Sequence, residues 1–387
     1  MNITIVGGGF GGVKAALELA KRPKNQVTLI SDKPNFQYYP AMYAVATGQN
    51  GEGAWIPLKE IFARKKNVEI IIDPIVSINP EKKVVASKVK EYSYDVCILA
   101  FGMVTSYFGI KGLEEYAYGM KAASEVDRLK KHLQKTVIKC DPNEHYVIVG
   151  AGPTGVEFAA SLGLYLARLC GHYGVKNEYV NLDLVEAAPR ILPKMHEKTS
   201  LAVKKRLTKL GIHVLEGKAV ESQSPSHLMV AGKPIESQTV VWTSGVTNHP
   251  FFKANAQHFT FSKNGRVEVN EYLQAHDDVY VIGDNAATPF SGLAQTALKD
   301  AKFVARFLMH KTDGTTSISY RPVMPPIVVP VGKGWAAFEW RGLRLHGWLA
   351  WLLHLAANLI GYHDVLPLKK ALHVWRIAER KEPMPEA

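Results

Sequence analysis

HYVIVGAGPTGVEFAASLG, residues His145 to Gly163, reads as a strand, a glycine turn and a helix in immediate succession. Tyr146 to Val149 is an unbroken apolar run, the pattern of a parallel strand buried on both faces. Gly150, Gly152 and Gly155 follow at G-x-G-x-x-G spacing, and residues 156–169 carry helical periodicity. Each glycine has its own task. The first permits a tight turn, the second leaves the backbone bare for a pyrophosphate, and the third lets helix and strand pack closely. The helix start then offers free N–H groups and a partial positive charge to the phosphates.

The same grammar stands at the beginning of the chain. Residues 2–6 (NITIV) form a β-branched run, Gly7, Gly9 and Gly12 repeat the spacing around Phe10, and residues 13–20 read as a helix before a second strand at 27–30. A whole βαβ unit therefore recurs about 140 residues later, which predicts two dinucleotide domains rather than one long sheet. An acidic residue ending the second strand of such a unit binds the ribose 2′-hydroxyl. Glu186, after LDLV, fills that role in the second unit, and its charge repels a 2′-phosphate, favouring NADH over NADPH. The long spacing from Gly155 to Glu186 is assigned to a longer helix and a loop through Cys170 to Glu178. In the first unit the position falls on Ser31 with Asp32 next, and either meets the ribose.

Further strands are expected at 95–100, 239–243 and 278–282, and a helix at 293–308; the proline-rich residues 321–330 read as a linker or edge segment. The fold class is α/β: two Rossmann-like dinucleotide-binding domains plus a C-terminal amphipathic helical element. The first domain is assigned to residues 1–112 and 265–335, the second to 113–264, and the C-terminal element to 336–387.

In that element, Trp348, Leu352, Leu355 and Leu359 make a stripe at helical spacing, widened by Trp351. Leu368, Leu372 and Trp375 make a second, opposed by Lys369, Lys370, His373, Arg376 and Arg380. Such stripes pack on a core, form a dimer seam, or lie on a membrane. Tryptophan beside basic residues favours an anionic lipid surface. The apolar run is too short to span a bilayer.

Composition narrows the field. Of 387 residues 47% are apolar and 21% charged, a globular balance with material for a sizeable core. The net charge of +12 suits anionic partners; it follows amphipathic helices and no nucleic-acid motif, so nucleic-acid binding is excluded. The scattered Cys97, Cys140 and Cys170 form no C-x-x-C pair, which argues against a disulfide framework, a metal ribbon or an iron–sulfur site and fits a reducing compartment. The start shows no secretory pattern, so the expected compartment is the cytoplasmic face of the cell membrane.

With these residues in place, the chain resembles the two-dinucleotide flavoproteins, and more narrowly the type II NADH dehydrogenases, single-subunit NADH:quinone oxidoreductases, over almost its whole length. FQYYPAMYAVATG (Phe36 to Gly48), YDVCILAFG (Tyr94 to Gly102, with Phe101 replacing the usual Thr), VVWTSGV (Val240 to Val246) and YVIGDNAA (Tyr280 to Ala287) carry the resemblance. It implies non-covalent FAD in the first unit, with Gly7, Gly9, Phe10, Gly12, Ser31, Asp32, Thr47, Gly102, Asp284, Ala294 and Gln295 around it. NADH is the implied substrate of the second unit, at Gly150, Gly152, Gly155, Glu186 and Gly245. AQTALKDA (Ala294 to Ala301) resembles the family's quinone motif; Gln295 matches its first Gln, and Lys299 replaces the second. A lysine only donates, so Lys299 either steadies a quinol oxygen anion or pairs with Glu157. Glu157 matches a family glutamate near quinone and flavin, where burial raises a carboxyl pKa and suits it to proton relay.

The implied activity is respiratory transfer from NADH to a membrane quinone without proton pumping. The alternatives are a soluble FAD-dependent NADH reductase with a protein acceptor, a sulfide:quinone oxidoreductase-like enzyme, which needs reactive cysteines, and a nucleotide-sensing module without catalysis.

Overall fold

The computed structural model describes residues 1–139, 141, 144–176, 180–315 and 318–384. Cys140 and Glu178 lie outside them. The first glycine unit is seen as strand Asn2–Val6, helix Phe10–Leu19 and strand Gln26–Ser31. It builds a six-stranded sheet in the order Gln274–His276, Val279–Val281, Val96–Leu99, Asn2–Val6, Gln26–Ser31, Val68–Ile72. The Gln274–His276 strand is antiparallel to its neighbour and the other pairings are parallel. The parallel centre is apolar on both faces, as crossover helices demand. Phe10–Leu19 packs against Ala294–Asp313 in one core.

The second unit gives a four-stranded parallel sheet, Ile212–Glu216, Asn181–Glu186, His145–Val149 and Thr239–Trp242. Its long helix, Pro153–Tyr173, opens on a proline, which needs no N–H at that position, and ends on Gly174 with φ +69°. The chain leaves the first sheet through Met103–Thr105 and leaves the second through Val246–Asn248. These two short strands pair antiparallel with each other.

The proline-rich stretch ends in an edge strand, Ile327–Pro330, of a three-stranded antiparallel sheet with Ala336–Trp340 and Leu343–Gly347. Two helices follow, Trp348–His363 and Leu368–Ala378. They are built into the molecule. Lys14, 9% exposed, donates to the Asp364 carbonyl at 2.8 Å, and Lys302 pairs with the Asp364 carboxylate at 3.1 Å. Tyr362 stacks on Tyr38 at 4.1 Å. Asn50 N donates to Arg380 O and Glu382 N to Gly48 O, both at 2.9 Å, so the segment after the last helix runs along residues 48–50.

The first of these helices is inside out. Ala350, His354, Gly361 and Tyr362 face inward, whereas Trp348, Leu349, Leu352, Leu353 and Ile360 are 38–65% exposed. Of the expected stripe, Leu359 turns onto the core and Leu355 is half-buried. On the second helix Trp375 packs inward and Leu368 stays exposed. No helix of the described residues is long and apolar enough to cross a membrane.

Candidate functional site

The two glycine turns repeat each other, position for position, in where a side chain has room and where it has none. A Cβ on Gly7 would lie 2.2 Å from Ala100 O, and one on Gly150 2.1 Å from Ser244 Oγ. A Cβ on Gly12 would meet Gly7 O at 1.9 Å, and one on Gly155 would meet Gly150 O at 1.8 Å. These four glycines are fixed by the protein's own packing. Gly9 and Gly152 differ: nothing lies within 4 Å of where their Cβ would sit. Both cap a helix whose first turn carries no acidic side chain and no side-chain cap, so the N–H groups there are left for an anion. The arrangement fits two diphosphates, one per turn.

Glu186 closes the second turn. Its carboxylate accepts from Ala151 N at 2.7 Å and from Ala188 N at 2.8 Å, so it is held at the strand end beside the glycines. In the first unit Ser31 occupies the corresponding place, buried to 3% and in contact range of the Gly8 Cβ position, while Asp32 is exposed. Asp32 is within electrostatic reach of Tyr39 and His249. Phe10 points its ring into the core, edge-on to Phe36 at 4.9 Å, so only its backbone faces the turn. The Thr47 hydroxyl is spent on the carbonyls of Tyr43 and Ala44.

Between the two units, Asp284 is largely enclosed; burial raises its pKa, against a hydrogen bond from Gly292 N at 3.0 Å and nearby Arg266 and Lys121. Gly102 has φ +74° and open space where a side chain would project. Phe101, where the resembling family has Thr, stacks between His249 (4.7 Å) and Phe251 (4.3 Å). Gly245, with φ +77°, is covered on one side by Phe108 and the Ser106 carbonyl.

Glu157 lies one turn into the helix that starts at the second cradle. The residue is half-buried, and burial pushes its carboxyl up to about 8. Among the described residues no lysine or arginine forms an ion pair with it. Lys299 instead donates to Val323 O at 3.3 Å, tying the proline-rich stretch to its helix; of its two expected roles, pairing with Glu157 is not found. Ala294 and Gln295 form the first turn of that helix, with Gln295 half-buried.

Tyr43, near Glu157, and Glu379, near Tyr43, escaped the sequence reading. The Tyr43 phenol is held well above its ordinary value, by burial first and then by the neighbouring Glu157 and Glu379 carboxylates. Tyr43 sits inside the FQYYPAMYAVATG stretch, so a signal existed; Glu379 comes from the last helix and had none. Cys97 and Cys170 are buried, to 0% and 1% exposure, and burial pushes the Cys97 thiol far up.

Comparison with known proteins agrees with this geometry. Residues 1–301 match the family described as pyridine nucleotide-disulphide oxidoreductase, which defines the class. Type II NADH:quinone oxidoreductase NdhA of Mycobacterium tuberculosis is 30% identical, over 97% of this chain and 86% of its own. A type II NADH:quinone oxidoreductase of Staphylococcus haemolyticus is 25% identical, over 85% and 87%. The chain belongs to the type II NADH:quinone oxidoreductases within that class. Among solved structures, NDH2 from Plasmodium falciparum in complex with NADH has a TM-score of 0.88 at 18% identity, covering 97% of both chains. The sulfide:quinone oxidoreductase of Aquifex aeolicus has a TM-score of 0.81, also at 18% identity, covering 100% of both. These two likenesses concern the fold.

Proposed function

We propose that this protein is a peripheral-membrane, FAD-dependent NADH:quinone oxidoreductase that transfers electrons without pumping protons. The observation that carries the reading is the half-buried Glu157, without a lysine or arginine partner among the described residues, on the helix that begins at an open dinucleotide cradle. The names of the relatives point the same way. FAD sits in the unit of Gly7, Gly9 and Gly12, with Ser31 at its ribose and Asp284 and Gly102 further along. NADH sits in the unit of Gly150, Gly152 and Gly155, with Glu186 on the 2′-hydroxyl. FAD held there would supply the redox chemistry, the capacity to accept a hydride from NADH and to give two electrons to a quinone.

The chain's own residues do the rest. Glu157 is protonated at neutral pH and gives a proton to a quinone oxygen. Tyr43 and Glu379, within electrostatic reach, lie on the way for its resupply from solvent, which Glu379 faces. The Gln295 amide donates to and accepts from the quinone end. The domain division at 112, 264 and 335 belongs to the same proposal.

The outward apolar face of Trp348–His363, flanked by exposed Lys369, His373, Arg376 and Arg380, docks on an anionic membrane surface, at the cytoplasmic side. A second copy covering the same face is the competing use. Vesicle pelleting against gel filtration separates the two. The absence of a buried-to-exposed reactive thiol pair among the described residues disfavours the sulfide reading.

The test is anaerobic. NADH, and much less NADPH, should bleach the yellow protein, and an added quinone should restore its colour. A protein that holds no flavin, or whose colour persists with NADH, overturns the proposal.

A further inference from the structure

Asn285 follows the candidate flavin contact Asp284 and is fully buried. Its side chain uses both ends. The Oδ1 atom accepts from Gly102 N at 2.8 Å, and Nδ2 donates to Gly102 O and to Asn248 Oδ1, each at 2.7 Å. Gly102 and Asn248 are not ordinary partners. Gly102 immediately precedes the outgoing strand Met103–Thr105, and Asn248 ends the returning strand Val246–Asn248; Met103 and Asn248 face each other in the register. One amide thus holds both strands that join the two sheets, at the end nearest the first. Its own backbone is fixed as well, since Val267 N donates to Asn285 O at 2.9 Å. Asn248 passes the connection on through Nδ2 to Gly265 O at 2.9 Å.

We infer that Asn285 is a positioning residue for hydride transfer: by tying both connecting strands to the residue after Asp284, it sets the separation of the two nucleotide units. The inference rests on the reading that these units hold FAD and NADH. Its logic is geometric. Hydride transfer requires donor and acceptor carbons in near-contact, and a displacement of about 1 Å costs on the order of a hundredfold in rate. Each nucleotide is held by its own glycine turn, so affinity is local to one sheet. The distance between them is carried by the connecting strands. Val at 285 can make none of these bonds, and a Thr hydroxyl has a single proton for the two acceptors, Gly102 O and Asn248 Oδ1, that Asn285 Nδ2 serves.

The test uses the FAD-loaded full chain and the variants Asn285→Ala and Asn248→Ala. The first removes all three side-chain bonds of Asn285; the second removes one of these, together with the bonds of Asn248 to Gly265 O and from His249 N, while keeping the Gly102 pair, which keeps the question answerable if Asn285→Ala does not fold. Two readouts are needed. Hydrogen–deuterium exchange should quicken in peptides covering residues 102–105 and 246–248, while peptides of the two glycine turns keep their wild-type protection. Rapid-mixing bleaching by NADH should slow about tenfold to a hundredfold, with less than a twofold change in the NADH concentration for half-saturation and a larger isotope effect from 4-deuterated NADH. Asn248→Ala should show the same signs at smaller size. Faster exchange with wild-type bleaching rates would overturn the inference, as would unchanged exchange in the connecting strands. Failure of the underlying reading is distinguishable, because the wild-type protein itself would then not bleach.

Discussion

Replacing Glu157 by Gln tests the buried-acid mechanism with a magnitude that comes from the structure. Burial lifts the carboxyl from an ordinary 4.5 to about 8. At pH 7 the acid form therefore outweighs the ionised form roughly tenfold, and at pH 9 the ratio inverts. If this group delivers the proton, turnover with quinone should be level below pH 8 and fall about tenfold for each unit above it. Glu157→Gln keeps the shape, removes the proton and should cost on the order of a hundredfold in quinone reduction at pH 7. The high-pH limb should disappear with it. Stopped-flow separates the half-reactions: bleaching by NADH should stay within about twofold of wild type, and only the return of colour with quinone should slow.

The same shift has a thermodynamic consequence of definite sign. Because the folded value lies above the unfolded one, the folded state holds the extra proton between pH 4.5 and about 8. Its stabilising contribution is complete below 4.5 and is lost as pH rises through about 8. The ceiling on that loss is roughly 5 kcal/mol, taking about 1.4 kcal/mol per pH unit. Urea unfolding of wild type and variant across pH 5 to 9 should diverge, with Glu157→Gln gaining relative stability at the alkaline end. Parallel curves, or a high-pH activity limb that survives in Glu157→Gln, would refute the argument that burial alone sets this carboxyl.

Three further outcomes are expected. Gly9→Ala should fold normally and lose flavin affinity, because its φ of −87° suits alanine and its Cβ meets nothing, whereas Gly12→Ala should lower the unfolding midpoint by an equivalent of about 1–3 kcal/mol from its collision with Gly7 O; equilibrium unfolding and flavin content measure both. Glu186→Ser should raise the KM for NADH and narrow the gap to NADPH, read as a ratio of kcat/KM values, since the backbone donors Ala151 N and Ala188 N become available to a 2′-phosphate. Leu352→Asp with Ile360→Asp, at 52% and 57% exposure, should leave thermal unfolding unchanged and weaken sedimentation with anionic vesicles by about a hundredfold, from roughly 3 kcal/mol of lost apolar burial.

Much of the fold was readable because backbone geometry dictates it. A glycine turn between a β-branched run and a helix is demanded by close approach, and the structure places a backbone oxygen or hydroxyl where four of the six Cβ atoms would go. The first helix begins at Phe10, earlier than the expected residue 13, since Gly11 and Gly12 lie inside its opening turn. Glycine's poor helix propensity argues for the later start, and the packing of Gly12 on Gly7 O overrides it. The sequence left Ser31 and Asp32 as alternatives, because neighbours on a strand point to opposite faces and only the coordinates show that Ser31 is buried and Asp32 exposed. Asn285 and Glu379 were not legible at all. The contact of Asn285 with Gly102 spans 183 residues, and Glu379 meets Tyr43 only after two further helices have folded back. Nor did the spacing of Trp348, Leu352, Leu355 and Leu359 reveal which side of its helix faces water, since the pattern is the same whichever face is covered.

That orientation bears on the choice between a membrane-bound and a soluble reductase. A helix on a soluble protein lowers its free energy by turning leucines inward and polar groups out. Here His354 and Asn358 bond to each other at 3.2 Å on the inner side, and Tyr38 donates to Asn358 O at 3.3 Å. Burial pushes the His354 imidazole down to about 4, so it stays neutral where it is enclosed. The polar groups are thus satisfied inside, and the unsatisfied surface is the apolar one outside. Rotating the helix to hide its leucines would break the Tyr38 bond, unstack Tyr362 from Tyr38 and carry His354 to the surface, so the exposed face is locked by the interior. A soluble enzyme gains nothing from such an arrangement and bears an aggregation hazard. The proposed docking on a lipid surface would cover the same face and bring the basic residues of the next helix to acidic headgroups.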